Sequence, residues 1–307
     1  MLTTLPRVSR SASLVRVLVA YVLAVGVGAA WLFLGPDTGR LWLDALIADL
    51  LATLVIFGFS RAYGNSSFYD AYWSVAPPLL MFWWWSEGAA GVDQGRFWLM
   101  AAVMLLWAVR LTANWVYTFP GLHHEDWRYP LLKEKAGNAE VVVDLSAIHV
   151  IPTIQVFLGC LPVYLVATRP SDAIGWLDLV ALGVGVVAVL LELVADLQMH
   201  RFARTKQPGQ VMDQGLWAWS RHPNYLGEVL FWLSMALFGL AAAPSEWWWV
   251  FVGVVAMLAM FLGASIPMME QRSLERRPDY QRVIDRVPML VPRPPRRAPE
   301  DQPSGTR

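Results

Sequence analysis

Apolar residues fall in eight runs, near 14–34, 42–60, 72–86, 97–117, 147–168, 174–197, 224–243 and 247–266, with polar residues gathered between them. Each run approaches the roughly 20 residues that cross a bilayer as a helix, the third being short. The pattern predicts an all-α fold: a polytopic membrane bundle of seven to eight transmembrane helices. Residues 1–60 would supply N-terminal helices and 61–287 the main membrane domain. Residues 288–307 would form a disordered Pro/Arg-rich tail, with prolines at 288, 292, 294, 295, 299 and 303. Residues 1–34, with Arg7, Arg10 and Arg16 before the first run, also fit a signal peptide. The length of that run and the want of a small-residue cleavage site favour a membrane span.

Composition agrees with the pattern. The chain is 56% hydrophobic, above the roughly 45–50% of a soluble domain. Net charge is zero, but its distribution is lopsided. With eight spans both termini share one side, and that side carries 20 of the 24 lysines and arginines. The opposite loops hold only Arg40, Arg96 and Arg169, while Arg110 lies inside a helix. The positive-inside rule puts the crowded side, with both termini and the polar loops, in the cytosol. Cys160 is the only cysteine, which excludes disulfides and cysteine zinc sites.

The most informative polar stretch is 213–228, Asp-Gln-Gly-Leu-Trp-Ala-Trp-Ser-Arg-His-Pro-Asn-Tyr-Leu-Gly-Glu. A loop closes at Gly215, and Pro223 suits the first turn of a helix. Arg221 and His222 therefore stand beside a helix N-terminus, a corner that attracts phosphate. Asn224, Tyr225 and Glu228 follow within one turn and point back at it. A surface loop with snorkelling cations would explain the basic pair. It leaves Asn224 and Glu228, inside an apolar helix, without a reason.

Residues 61–78 bring Tyr63, Tyr69, Tyr72, Trp73 and Asp70 to the mouth of a span that Pro77 and Pro78 should kink. Aromatic walls around one carboxylate suit a flat apolar ligand, and an interfacial aromatic belt has the same composition. Arg110, Asn114 and Tyr117 share one helix face. His123, His124, Glu125 and Asp126 invite a metal reading, but the histidines are adjacent rather than four apart, and no metal is expected. Arg128 and Tyr129 are expected to lean on a cofactor instead. Glu192, Asp196 and His200 repeat every four residues and lead to Arg201, Arg204 and Lys206, so a polar stripe leaves the membrane into a basic loop. Carboxylates accept ribose hydroxyls and cations hold phosphates. Gly183-Val-Gly185 lies mid-membrane with no preceding strand and reads as helix packing, not a dinucleotide fingerprint. Residues 267–280 read as an amphipathic surface helix able to close over these loops. His149, alone among apolar residues, reads as a satisfied core histidine.

Several of these marks together resemble the steroid 5-alpha-reductase family of integral membrane enzymes, and specifically its bacterial, DUF1295-like branch of membrane oxidoreductases. The resemblance covers about 60–292. It rests on Asn65-Ser66-Ser67, Tyr69-Asp70-Ala-Tyr72-Trp73-Ser-Val-Ala-Pro77, Arg110-Leu-Thr-Ala-Asn114-Trp115, Glu125-Asp126-Trp127-Arg128-Tyr129, Ala195-Asp196-Leu-Gln198 and Ser220-Arg-His-Pro-Asn-Tyr-Leu-Gly-Glu228. The last motif is shared with isoprenylcysteine and phospholipid methyltransferases. The resemblance implies a seven-helix enzyme holding NADPH in its cytosolic half and reducing the double bond of an enone that enters from the lipid. The family's cofactor-contacting arginine falls on Arg110, its sixth-span carboxylate on Asp196, and its asparagine and glutamate on Asn224 and Glu228. Its carbonyl-binding acid falls on Asp70, one methylene shorter than the usual glutamate. Its tyrosine partner is matched by Trp107, which has no hydroxyl, so Tyr69 and Tyr72 are the candidates to replace it. An additional N-terminal span is a further departure.

The expected catalytic set is thus Asp70, Tyr69 and Tyr72. The expected NADPH set is Arg110, Asn114, Arg128, Tyr129, Asp196, Arg204, Arg221, His222, Asn224, Tyr225 and Glu228. A lipophilic small molecule and membrane lipids are the expected partners, without nucleic acid, for a monomer in the bacterial inner membrane. The rival is a membrane methyltransferase using S-adenosylmethionine, which carries no phosphate, whereas this chain is rich in cations. A third reading is a lipid-binding or scaffold protein, which would tolerate loss of Asp196 and Asn224.

Overall fold

The computed structural model describes residues 8–294. Among these every regular element is helical, without strands. The α-helices are α1 (Arg10–Leu34), α2 (Leu41–Tyr63), α3 (Tyr72–Ser86), α4 (Gln94–Thr118), α5 (Arg128–Ala136), α6 (Glu140–Val143), α7 (Ile151–Thr168), α8 (Trp176–Thr205), α9 (Pro223–Ala242), α10 (Val252–Met260), α11 (Ile266–Arg276) and α12 (Tyr280–Arg286). Seven helical stretches are long and apolar enough to cross a membrane, as an integral membrane protein requires. The third expected span, α3, has 15 residues and falls short of that length. Leucines and valines such as Leu18 and Val22 on α1 or Leu179 and Leu197 on α8 face outward. That is the inverse of a soluble surface and the surface a lipid solvent demands.

Several expected boundaries move. Residues 128–143, expected as loop, are helical, and α8 runs on through the basic stretch to Thr205. Arginine is a good helix former, so the polar end need not unwind the helix. The last span starts at Val252, because Trp247–Phe251 form turns. The amphipathic segment expected after residue 266 is continuous with that span through a π-helical stretch, Phe261–Ser265. The expected tail begins at 288, yet the Pro288 carbonyl accepts the Arg221 N–H at 2.9 Å and the Arg293 N–H donates to Trp219 at 3.1 Å. Backbone pairing holds these residues where composition predicts none. The tail from 295 on, and Arg7, lie outside the described residues.

The described helices group into two compact units: the chain up to Ile174 with Phe238–Gly253, and Gly175–Leu237 with the chain from Val254. In the first, Val17, Ala20 and Ala24 of α1 pack with Ala52 and Ile56 of α2 and with Phe68, Tyr69 and Tyr72. Alanines at this contact let the backbones come close, which is how helices associate without a hydrophobic drive. Asp44 and Asp49, awkward inside a span, are both satisfied: Asp44 accepts the Thr38 N–H, and Asp49 accepts the Tyr72 hydroxyl at 2.8 Å. A close backbone approach in this unit joins α10 to α7. A Cβ on Gly253 would lie 2.4 Å from the Gly159 backbone, which cannot yield as a side chain can. Gly253→Ala is therefore expected to destabilise the protein by about 1–3 kcal/mol, despite the gain in helix propensity. Thermal unfolding in detergent checks it, and an unchanged or higher Tm would show the contact to be loose.

Candidate functional site

Asp70 is reached through a turn that glycine makes possible. Gly64 ends α2 in the left-handed region, at φ +60°. The chain then folds into a single 3-10 turn, Ser66–Tyr69. Polar contacts stitch this turn to residues 122–129. Asn65 Nδ2 donates to the carbonyls of Leu122 (2.9 Å) and His124 (3.0 Å). The Ser66 N–H donates to Glu125 Oε1 at 2.7 Å, and the Asp126 N–H donates to Ser67 Oγ at 3.1 Å. The result of this alignment is one short contact: the Tyr129 hydroxyl donates to Asp70 Oδ1 at 2.6 Å. On the other oxygen, Oδ2, the Trp115 indole nitrogen stands 3.5 Å away. Trp115 itself stacks on Phe119 at 4.5 Å. Burial pushes the Asp70 carboxyl up to about 6, aided by the nearby Asp126 charge and opposed by the Tyr129 hydrogen bond.

A second carboxylate anchors the turn from behind. Asp144 is buried and accepts from Ser66 Oγ (2.7 Å) and Arg61 NH1 (3.0 Å). It opens a π-helical stretch, Asp144–Val150, in which the Ile151 N–H reaches back five residues to Ser146. His149 lies in the same stretch, fully buried, with Nδ1 2.8 Å from the Asp144 carbonyl and Nε2 3.0 Å from Ser60 Oγ. Both ring nitrogens have partners, as a core histidine requires.

The other expected residues of this unit are placed as follows. Tyr69 shares a hydrogen bond with Thr153 Oγ1 at 2.8 Å, and Tyr72 donates to Asp49. Neither hydroxyl is directed at Asp70; Tyr129 fills that position. Arg128 grips Asp126 through two bonds, Nε–Oδ1 2.8 Å and NH2–Oδ2 3.0 Å. Burial alone would raise the Asp126 carboxyl, but the Arg128 hydrogen bonds and charge hold it below the usual range. Glu125 pairs with Lys133 at 2.7 Å. Arg110 and Asn114 are partly buried on α4, and Trp107 is fully buried, its ring 5.8 Å from that of Trp73.

In the second unit the polar stripe of α8 carries Glu192 (buried), Asp196 and His200 (partly buried), and ends with Arg201, Arg204 and Lys206 exposed. Gly215 takes φ +59°, and the Gln198 amide fills the place a Cβ would have; Gln198 Oε1 accepts the Leu216 N–H at 2.9 Å. Pro223 starts α9, as its ring predicts. The anion beside Arg221 and His222 is Glu270 of α11. Arg221 Nε meets Oε1 at 2.6 Å and NH2 meets Oε2 at 3.3 Å, while His222 Nε2 lies 3.0 Å from Oε1. Arg221 also donates to the carbonyls of Ile284 and Val287. The His222, Tyr225 and Phe261 rings stack in succession, at 5.5 and 4.4 Å. Glu228 is buried and accepts the Trp232 indole N–H at 2.8 Å. Asn224 is partly buried. The space beside Gly227 is taken by Glu192, whose Cγ would lie 2.3 Å from an added Cβ.

Reasoning from sequence therefore named Asp70, Arg221 and His222 but not their partners. The sequence points to Tyr129 as a cofactor contact; its 59-residue separation from Asp70 carries no pattern that links them. Glu270 gave a fainter signal, as a carboxylate at the start of an amphipathic helix expected to close on the loops.

A family described as "Protein of unknown function (DUF1295)" matches residues 56–287. The chain is also similar to the uncharacterised protein C594.04c of Schizosaccharomyces pombe, 28% identical over 272 residues, covering 81% of this chain and 78% of that one. No solved structure matches it significantly.

Proposed function

The chain belongs to the DUF1295 family, and we propose that it is a membrane-embedded, NADPH-dependent reductase of the carbon–carbon double bond of a flat, lipophilic enone. The observation that carries this reading is the Asp70–Tyr129 pair. An enone accepts hydride at its β carbon only if negative charge growing on the carbonyl oxygen is stabilised. A carboxyl with its pKa near 6 is protonated over part of the working pH range. With Oδ1 occupied by Tyr129, the proton resides on Oδ2, from which it is donated to the carbonyl oxygen. The Tyr129 hydroxyl fixes the rotamer of the acid and serves as the oxygen partner that Trp107 cannot be. The motif loops would face the cytosol of a bacterial cell, the side that the basic residues mark.

NADPH, when bound, supplies the hydride, and the protein supplies orientation and charge. The exposed cations that end α8, Arg201, Arg204 and Lys206, suit phosphates, and Asp196 on the same helix suits a hydroxyl or amide. Arg110, Asn114, Asn224, Tyr225 and Glu228 remain candidates by resemblance. Arg221, His222 and Arg128 are assigned here to holding the protein together, because a phosphate would have to displace Glu270 or Asp126 from them.

The same ion pairs bear on the rival methyltransferase. A methyltransferase binds a cofactor without phosphates, and two of the cations that argue against it, Arg128 and Arg221, are already paired with carboxylates. Thermal stabilisation of detergent-purified protein by NADPH, NADH and S-adenosylmethionine in parallel separates the two. The reductase reading expects Tm to rise with the logarithm of NADPH concentration and not to respond to S-adenosylmethionine. A response to S-adenosylmethionine alone would end it.

A further inference from the structure

The opposite loops are nearly bare of positive charge. Arg40, Arg96 and Arg169 are the only cations there. Arg96 is 2% exposed, and its guanidinium bonds Ser171 Oγ and the Asp172 carbonyl, so it is part of the fold. The other two, Arg40 at the N-cap of α2 and Arg169 at the C-cap of α7, line one cavity of about 630 Å³. Among the described residues neither guanidinium forms an ion pair or a side-chain hydrogen bond. The cavity lies within the first unit. It is far from Asp70, since α2 begins at the cavity and ends beside the Asp70 turn, about 33 Å along its axis.

The walls are as selective as the charges. Trp42, Leu161, Tyr164 and Leu165 give an apolar side, and Trp248, 71% exposed, stands at the mouth. Tryptophans at a helix end mark the headgroup level of a bilayer. Glu246 also lines the cavity, but its Oε2 accepts the Trp249 indole N–H at 2.5 Å, and it forms no ion pair with either arginine. Two cations kept on a face that otherwise excludes them, above an apolar wall at headgroup depth, form a receptor for a phosphate ester carrying a hydrocarbon tail.

We propose that this cavity is a binding site for an anionic phospholipid, with its phosphate between Arg40 and Arg169 and the upper part of an acyl chain against Trp42 and Leu165. The site does not depend on the reductase reading. The test uses the full chain in a neutral detergent, comparing Tm across titrations of phosphatidylglycerol, phosphatidylcholine and inorganic phosphate. Phosphatidylglycerol is expected to raise Tm, with phosphatidylcholine and inorganic phosphate giving little. In Arg40→Ala/Arg169→Ala the apparent affinity should fall roughly 30-fold, and Arg40→Lys/Arg169→Lys should recover most of it. Arg169→Ala alone, at an exposed helix end, should lose about 5-fold and keeps the test open if the double variant does not purify. The proposal is overturned if phosphatidylglycerol acts equally on the wild type and the alanine variants, or if phosphatidylcholine acts equally well. A full response to inorganic phosphate would also overturn it, since the site would then take a free anion rather than a lipid.

Discussion

Asp70→Asn is expected to slow enone reduction by about 10²–10³-fold while leaving NADPH affinity unchanged. Asparagine keeps the size of the side chain and still accepts the Tyr129 hydroxyl, so the turn that positions it, held by Asn65, Ser66 and Ser67, should survive. What is lost is the acidic proton on Oδ2. The pH dependence gives an independent check with a definite sign. Burial raises the folded-state pKa to about 6, above the ordinary carboxylate value, so the neutral acid is the form the fold prefers. Both its donor function and its contribution to stability are present at low pH and are lost as pH rises through about 6. The wild-type rate should fall across that interval, and Asp70→Asn should flatten the profile. NADPH oxidation with a panel of lipophilic enones measures the rate, and thermal stabilisation measures the affinity. Loss of NADPH binding in Asp70→Asn, with the reduction rate per bound cofactor intact, would mean that the acid serves the cofactor rather than the carbonyl.

The second large effect concerns Arg221. Its side chain is 7% exposed and that of Glu270 13%, and the guanidinium ties Glu270 of α11 to the backbone at Ile284 and Val287 around α12. Removing one partner of a buried ion pair leaves the other charge without compensation, and Arg221→Ala should cost about 3–5 kcal/mol. Replacing both partners with apolar residues, as in Arg221→Met/Glu270→Leu, should recover much of that loss, because the pair pays heavily for its own desolvation. Thermal unfolding in detergent checks both variants. If Arg221 instead served mainly as a phosphate ligand, Arg221→Ala would keep its Tm and lose NADPH-dependent stabilisation.

These two residues show what a single chain discloses about itself. Asp70 stood out because a carboxylate at the mouth of an apolar span is costly, and Arg221 because a basic pair before a proline marks a helix start. Each inference rests on local chemistry: Pro223 does open a helix, whereas the tight turn that carries Asp70 is not predicted by the sequence. Their partners lie 59 and 49 residues away and are set by packing, which leaves no periodic trace. Membrane helices were legible from their runs, but their ends were not. Hydropathy falls at the bilayer edge whether or not the helix continues, so the extension of α8 from 197 to Thr205 carries no signal, and the helical turns of 128–143 read as loop. Tyr69 and Tyr72 were attractive by adjacency to Asp70. On a tight turn, neighbours point in different directions, and these two are bonded to Thr153 and Asp49.

The widened stretch Asp144–Val150 has a consequence for how this protein can change. A π turn holds one more residue than an α turn, so everything before it is indexed about 100° away from an unbroken helix. Deleting a single residue there would let an ordinary α-helix run through to Thr168, and Asp144 would swing off Ser66 and Arg61. Residue count in this segment is therefore as constrained as residue identity. Relatives that keep the Asp70 turn should hold the length of 144–150 as strictly as they hold Asp144 and His149.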